Sequence, residues 1–292
     1  MTMWHFISDH ISDATGSVFV CQKRTAAQGG DTHECFVIRD DTRRFFVKVR
    51  EDDDTHPLKS EMEGLQALAS TNAVLTPNVI CYGVTEDKPK GFEYLVLSHI
   101  KFIDSGSDWH ALGSQLAHLH QSSQSQFGWS SDNYIGASVQ HNAWHNDWAA
   151  FYAEYRIGSM LERLAHQGHT LTQIDIFVTR IQQLLHSHHP APSLLHGDLW
   201  SGNVGFCAKG PVIFDPAVYV GDRETDIAMT RLFGGFRDAF YEGYNAVYPL
   251  DNAYSQRENL YQLYHVLNHA LLFSEPYLSQ AKSAIMALEK QF

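Results

Sequence analysis

The chain has 292 residues, 44% hydrophobic and 12% aromatic, enough to bury a substantial core in one large or two moderate domains. A formal charge of −12 with no Lys/Arg-rich run argues against nucleic acid as a partner, because a phosphate backbone is held by clustered cations. No stretch approaches the roughly 18 uncharged apolar residues of a membrane span, and the start, Met1-Thr2-Met3-Trp4-His5-Phe6, lacks a basic region followed by an apolar core. No membrane association and a cytoplasmic location are therefore expected. Cys21, Cys35, Cys81 and Cys207 are scattered without C-x-x-C spacing, which suggests neither a disulfide framework nor a thiolate zinc site.

Met1 to Ala14 places Trp4, Ile7 and Ile11 on one face of a short helix. Ser17–Gln22, His33–Ile38 and Arg44–Val49 then read as strands, rich in β-branched and aromatic residues and separated by turn formers. Between the first two lies Gln28-Gly29-Gly30-Asp31-Thr32, a good hairpin turn. After Pro57, the spacing of Leu58, Met62, Leu65 and Leu68 predicts a helix. Val79–Gly83 and Phe92–Leu97 are strand-like, and from there the pattern changes to helices over Trp109–His120, Trp144–His166, Leu171–His186 and Glu258–Phe273. The expected class is α+β in two lobes: a small β-rich N-lobe over residues 1–100 and a larger, mainly helical C-lobe over 101–292. Ser98-His99-Ile100-Lys101 is the expected connector. There is no internal repeat, low-complexity segment or Pro/Gly-rich linker.

Within the helical half, Leu195-His196-Gly197-Asp198-Leu199-Trp200-Ser201-Gly202-Asn203 is followed by the apolar run Val212-Ile213-Phe214, which ends in Asp215-Pro216. An aspartate, an asparagine five residues on and an aspartate twelve beyond that match the spacing with which kinase-like enzymes place a base and two Mg²⁺ ligands. Phosphoryl transfer asks mainly for positioning and charge neutralisation, so carboxylates, an amide and metal suffice. Asp198 would accept the proton of an acceptor hydroxyl; with an ordinary pKa of about 3.9 it is ionised at neutral pH and orients more than it activates. Asn203 and Asp215 would offer the hard oxygen ligands that suit Mg²⁺. The competing reading is a polar turn at Asp198 and a strand-ending turn at Asp215.

Lys48 sits inside an apolar strand, where a charge needs a reason. Alternation puts Phe46 and Lys48 on one face and Phe45, Val47 and Val49 on the other. A strand lysine can grip nucleotide phosphates and pair with a helical glutamate. Glu61, beside the apolar stripe of the next helix, is the first choice of partner and Glu63 the second. Gly29 and Gly30 would bring backbone N–H groups to the phosphates of ATP. Ser98, His99 and Ile100 would offer backbone groups to the adenine.

These residues resemble the fructosamine kinase (ketosamine 3-kinase) family, within the protein-kinase-like and aminoglycoside-phosphotransferase-like fold. The matching positions are Gly29-Gly30, Phe46-Val47-Lys48-Val49, Glu61, Leu116-Ala117-His118-Leu119-His120, Phe127-Gly128-Trp129, Asp132-Asn133-Tyr134-Ile135-Gly136, Trp144, Trp148, Phe151 and Arg156. They continue through His196 to Asn203 and Phe214 to Ala217, then Tyr219, Gly221-Asp222-Arg223-Glu224 and Asp226. Ser201 stands where many relatives have glycine. The resemblance implies ATP-dependent, Mg²⁺-assisted phosphorylation of a sugar hydroxyl on a ketosamine, either a small glycated amine or a glycated lysine.

Residue chemistry adds to this. Trp200 could pack against the apolar face of a sugar. Asp222, Glu224 and Asp226 could attract a cationic amine, although Asp226 could equally brace the loop by accepting backbone hydrogen bonds. Asn133, Tyr134 and Trp148 are pocket candidates that could as well be core. His141 and His145, and the cluster His186, His188 and His189, have spacings open to zinc but lack the glutamate of His-Glu-x-x-His. His196 reads as a loop-stabilising side chain. A kinase for another small hydroxyl compound, such as an aminoglycoside or choline, and a non-catalytic nucleotide-binding module are the alternatives. The sequence leaves the oligomeric state open.

Overall fold

A computed structural model describes residues 3–27, 33–85, 91–103 and 107–291. The fold is mixed, with a β-sheet N-terminal region and a helical C-terminal region, and it divides into two compact units: residues 1–107 with 205–215, and residues 108–204 with 216–292. A boundary drawn at residue 100 leaves 205–215 with the helical region, whereas the structure groups that segment with the sheet. No helix among the described residues is long and apolar enough to cross a membrane.

The first unit begins with α1 (Met3–Thr15), followed by β1 (Lys23–Ala27), β2 (Glu34–Arg39), β3 (Arg44–Glu51), α2 (Pro57–Ser70), β4 (Val79–Val84) and β5 (Phe92–Ser98). The strands form one antiparallel sheet in the order β1-β2-β3-β5-β4, which makes β3 central. Its alternation works as the sequence predicts. Phe45, Val47 and Val49 pack with Ile7 and Ile11 of α1, whereas Phe46 packs with Leu58, Met62 and Leu65 of α2. Ser17–Gln22 is not a strand. Phe19 is buried there, but Arg43 donates to the carbonyls of Ser17 and Val18, groups that a strand would have spent on a neighbour.

The second unit contains α3 (Trp109–His120), the hairpin β6 (Asn133–Ile135) and β7 (Ser138–Gln140), and a helix that runs as α4 (Trp148–Phe151), a π-helical stretch (Tyr152–Gly158) and α5 (Ser159–His166). That helix starts later than the periodicity suggests. Asp147 accepts from the N–H groups of Ala149 and Ala150 and caps it, leaving Trp144 outside and half exposed. Then come α6 (Ile174–Leu185) and β8 (Ser193–Leu195). The strands β9 (Val204–Cys207) and β10 (Gly210–Ile213) form the hairpin that belongs largely to the first unit. β11 (Tyr219–Gly221), paired with β8, leads to α7 (Glu224–Leu232), α8 (Asp238–Val247), α9 (Tyr254–Phe273) and α10 (Tyr277–Glu289). One core joins Trp148, Phe151, Tyr152, Phe177, Tyr219, Tyr261 and Leu267. The four cysteines are free thiols, Cys35 and Cys81 buried, Cys21 and Cys207 partly so.

Candidate active site

Each unit holds its own group of residues. In the first, Lys48 of the central strand is 2% exposed. Its ammonium lies 2.8 and 2.9 Å from the two carboxylate oxygens of Glu61 and 2.6 Å from Oδ1 of Asp215. Burial by itself disfavours the ammonium, but the two carboxylates outweigh it and hold Lys48 charged. Burial pushes Glu61 above the usual carboxylate range, with Asp215 reinforcing the shift and Lys48 opposing it. Glu63 is the more exposed residue, its nearest cation being Lys59 at 4.0 Å, so geometry selects Glu61 over Glu63. Asp215 has φ +55°, a left-handed conformation that a side chain adopts at some cost. The backbone before it is anchored where Ile213 N donates to Leu75 O at 3.0 Å.

Ser98 closes β5, with its N–H on Asn78 O at 2.8 Å and its hydroxyl accepting from Asn78 N at 2.9 Å. His99 and Ile100 are half-buried and follow the strand. Gly29 and Gly30 lie outside the described residues.

In the second unit, Asn203 Nδ2 donates to the carbonyl oxygen of Asp198 at 2.8 Å and to its Oδ2 at 3.2 Å. A ligand role for Asn203 would use its amide oxygen, since Nδ2 can only donate. Asp198 N donates to Nδ1 of the buried His196. Upstream, Asp226 accepts from His196 N at 2.8 Å, Gly197 N at 2.9 Å and His120 Nε2 at 3.1 Å. Burial alone would raise the Asp226 carboxyl; these donors and the His120 and His196 rings together hold it below the usual range. His120 Nδ1 in turn meets the Tyr244 hydroxyl at 2.8 Å. Asp226 is therefore a brace for the loop. Gly197 has φ +82°, and a Cβ there would stand 1.9 Å from Ala217 O. Trp200, 39% exposed, meets Phe233 edge-on at 6.5 Å between centroids, and a Cβ on Gly202 would come within 2.2 Å of its ring.

Asp222 and Glu224, expected from the sequence to draw in a cationic amine, are both buried and already paired within the protein. Asp222 is bound by His188 Nε2 at 2.7 Å and the Tyr261 hydroxyl at 2.6 Å, and it accepts from Glu224 N at the start of α7. Glu224 forms a two-pronged pair with Arg257, both contacts at 2.8 Å. His188 is thus committed to a carboxylate. His141 pairs with Asp132, and His145 accepts from Asp147 N, on a stretch that is not helical. Asn133 donates to Val218 O and Gln140 to Ala217 O, fastening the chain just past Asp215, while Trp148 is core.

Sequence reasoning misses Glu93, Arg257 and Gln140, and names His120 only as a position matching the family, without a role. Glu93 carried a usable signal, a charge inside an apolar strand like that of Lys48; the others pair with residues far along the chain.

A family model described as fructosamine kinase matches residues 3–291. A probable ketoamine kinase of Vibrio parahaemolyticus is 44% identical over 286 residues, covering 97% of this chain and 98% of that one. The crystal structure of a candidate fructosamine-3-kinase from Haemophilus somnus superposes with a TM-score of 0.91 at 31% identity, covering 98% and 97% of the two chains. An aminoglycoside phosphotransferase, APH(4)-Ia, in a ternary complex with AMP-PNP and hygromycin B, reaches a TM-score of 0.65 at 12% identity over 99% and 98% of the chains, a likeness of fold alone.

Proposed function

Since the chain belongs to the fructosamine kinase family, we propose that it transfers the γ-phosphoryl group of ATP to a sugar hydroxyl of a ketosamine, carried by a small amine or by a lysine side chain. The chain is an ATP-dependent phosphotransferase of the small-molecule kinase class. In the proposed reaction the acceptor hydroxyl oxygen bonds to the γ-phosphorus, the bond to the β-phosphate oxygen breaks, and ADP leaves.

Asp198 takes the hydroxyl proton, in keeping with a carboxylate on a loop that Asp226 holds through its backbone. Lys48 meets the phosphates, oriented by Glu61, and Gly29 and Gly30 supply N–H groups to them. Ser98, His99 and Ile100 carry the backbone for the adenine. The amide of Asn203 and the carboxylate of Asp215 each offer a hard oxygen donor of the kind Mg²⁺ takes, and when bound the ion would neutralise phosphate charge. Trp200 offers an indole face to the sugar. Nucleotide binding is thus assigned to the first unit and the acceptor to the second.

The observation that carries this reading is the buried ammonium of Lys48 shared by Glu61 and Asp215, because a fold with no anionic ligand to bind gains little from burying a cation and drawing two carboxylates onto it. The test is ATP-dependent phosphorylation of fructosyl, ribulosyl and erythrulosyl amines, free and lysine-linked, beside aminoglycosides and choline, with Asp198→Asn as control. Turnover of at least one ketosamine, reduced on the order of a hundredfold or more in D198N, is expected. Inertness toward every ketosamine refutes the substrate class, and undiminished turnover in D198N refutes the base.

A further inference from the structure

The helix that carries Glu61 lacks a cap of its own. The residue before α2, His56, has φ +49° and gives no side-chain hydrogen bond to the first turn, although the N–H groups there need acceptors. Lys59 N reaches the His56 carbonyl oxygen at 3.2 Å, and the side-chain acceptor that a cap would supply comes from β5. Glu93, fully buried, accepts from Lys59 N at 3.1 Å and from the Tyr82 hydroxyl at 3.2 Å, both through Oε1; Arg50 Nη1 lies 3.4 Å from its Oε2. Arg50 also holds Asp53, on the connection into α2, at 2.6 Å.

Register explains why Glu93 can reach. Arg50 of β3 stands opposite Glu93 of β5, and Lys48 stands opposite Leu95. With a side-chain period of two, Lys48 and Arg50 share the face against α2, as do Glu93 and Leu95. On the helix, Lys59 and Glu61 are two residues apart. The sheet therefore grips α2 at two successive points: Glu93 on the amide of Lys59 and Lys48 on the carboxylate of Glu61.

We infer that Glu93 is a positioning residue for the nucleotide site: by holding the first turn of α2 it fixes where Glu61 meets Lys48, and thereby how tightly ATP is bound. The inference rests on the assignment of Lys48 and Glu61 to ATP. A cap that served stability alone would leave nucleotide affinity untouched once the protein is folded.

The test measures the Kd of Mg²⁺–AMP-PNP by calorimetry on the intact chain for Glu93→Ala, Glu93→Gln, Glu61→Ala and the double variant E61A/E93A. In E93A the Kd is expected to rise on the order of tenfold, the equivalent of a lost cap. E93Q keeps an oxygen for Lys59 N–H and is expected to stay within about threefold of the unmodified chain. In the E61A background, E93A is expected to add less than about twofold, because both changes act through one contact. Should E93A not fold, Glu93→Asp, which withdraws the carboxylate by one methylene, takes its place in the cycle. An unchanged Kd in E93A, or an effect that multiplies independently with that of E61A, overturns the inference. If Lys48→Met and E61A themselves leave the Kd unchanged, the nucleotide assignment falls instead.

Discussion

A buried cation survives only where its surroundings supply countercharge, and Lys48 has two carboxylates within 3 Å. Its raised pKa means that its contribution to stability is complete at neutral pH and is lost only as the solution becomes strongly alkaline. Lys48→Met should abolish detectable phosphotransfer. It should also destabilise the fold by about 3–5 kcal/mol where Glu61 stays ionised, the usual result of stranding a buried charge. Burial already raises the Glu61 carboxyl, and without the ammonium it rises further, so the variant regains stability as pH falls and the carboxyl takes up a proton. Urea unfolding at pH 8 and pH 5 checks this; an equal deficit at both would count against it. Lys48 was legible in the sequence as a charge inside a strand. The roles of Asp222 and Glu224 were not, because the partners that bury them, Arg257 and Tyr261, lie more than thirty residues away.

At the scale of elements, periodicity served well where one face alone is buried. β3, α2 and α3 fall where alternation and helical spacing put them. It failed where a side chain competes for the backbone, as Arg43 does at Ser17–Val18, and where a cap resets a helix start, as Asp147 does after Trp144. The loop between β8 and β9 shows the other half of the problem: its sequence names Asp198 and Asn203, but its shape is set by Asp226 and by the chain after Asp215. Gly197→Ala tests that dependence. Positive φ alone costs roughly 1–3 kcal/mol for a residue with a side chain, and the added methyl would meet Ala217 O. The expected outcome is a lower Tm and a fall in kcat on the order of a hundredfold from displacement of Asp198. A variant with lower Tm but full kcat would show that the loop adapts.

For the whole molecule, two of the eighteen histidines bear on acid stability. His265 is buried in α9 and lowered to about 3 by that burial and by neighbouring His269; His33 is lowered to about 4, chiefly by burial and then by Lys48. In the unfolded chain such rings take up protons near pH 6.5, whereas the folded protein keeps them neutral. Stability must therefore fall as pH drops from about 6.5 toward 4, with a slope approaching about 1.4 kcal/mol per pH unit for each such histidine. His265→Gln should flatten the slope of unfolding free energy against pH between pH 7 and pH 4.5. An unaltered slope in that variant would assign the acid sensitivity elsewhere. Chain order matters at this scale too. The chain passes between its units at residues 204–205 and again at 215–216, so Asn203 stands just before the excursion 205–215 and Asp215 ends it, a grouping that strand periodicity cannot reveal.

Gly202 lies beneath the indole of Trp200, with no room for a methyl group between them. The consequence is evolutionary. The surface proposed to face the acceptor can be re-aimed by a substitution at a residue that touches no acceptor, and a lineage could explore new sugars through the floor under Trp200 while keeping the tryptophan itself. The same adjacency limits the exploration, because Gly202 immediately precedes Asn203. A change large enough to tilt the ring also pulls on a proposed metal ligand, so gains in acceptor range at this position would be bought with turnover.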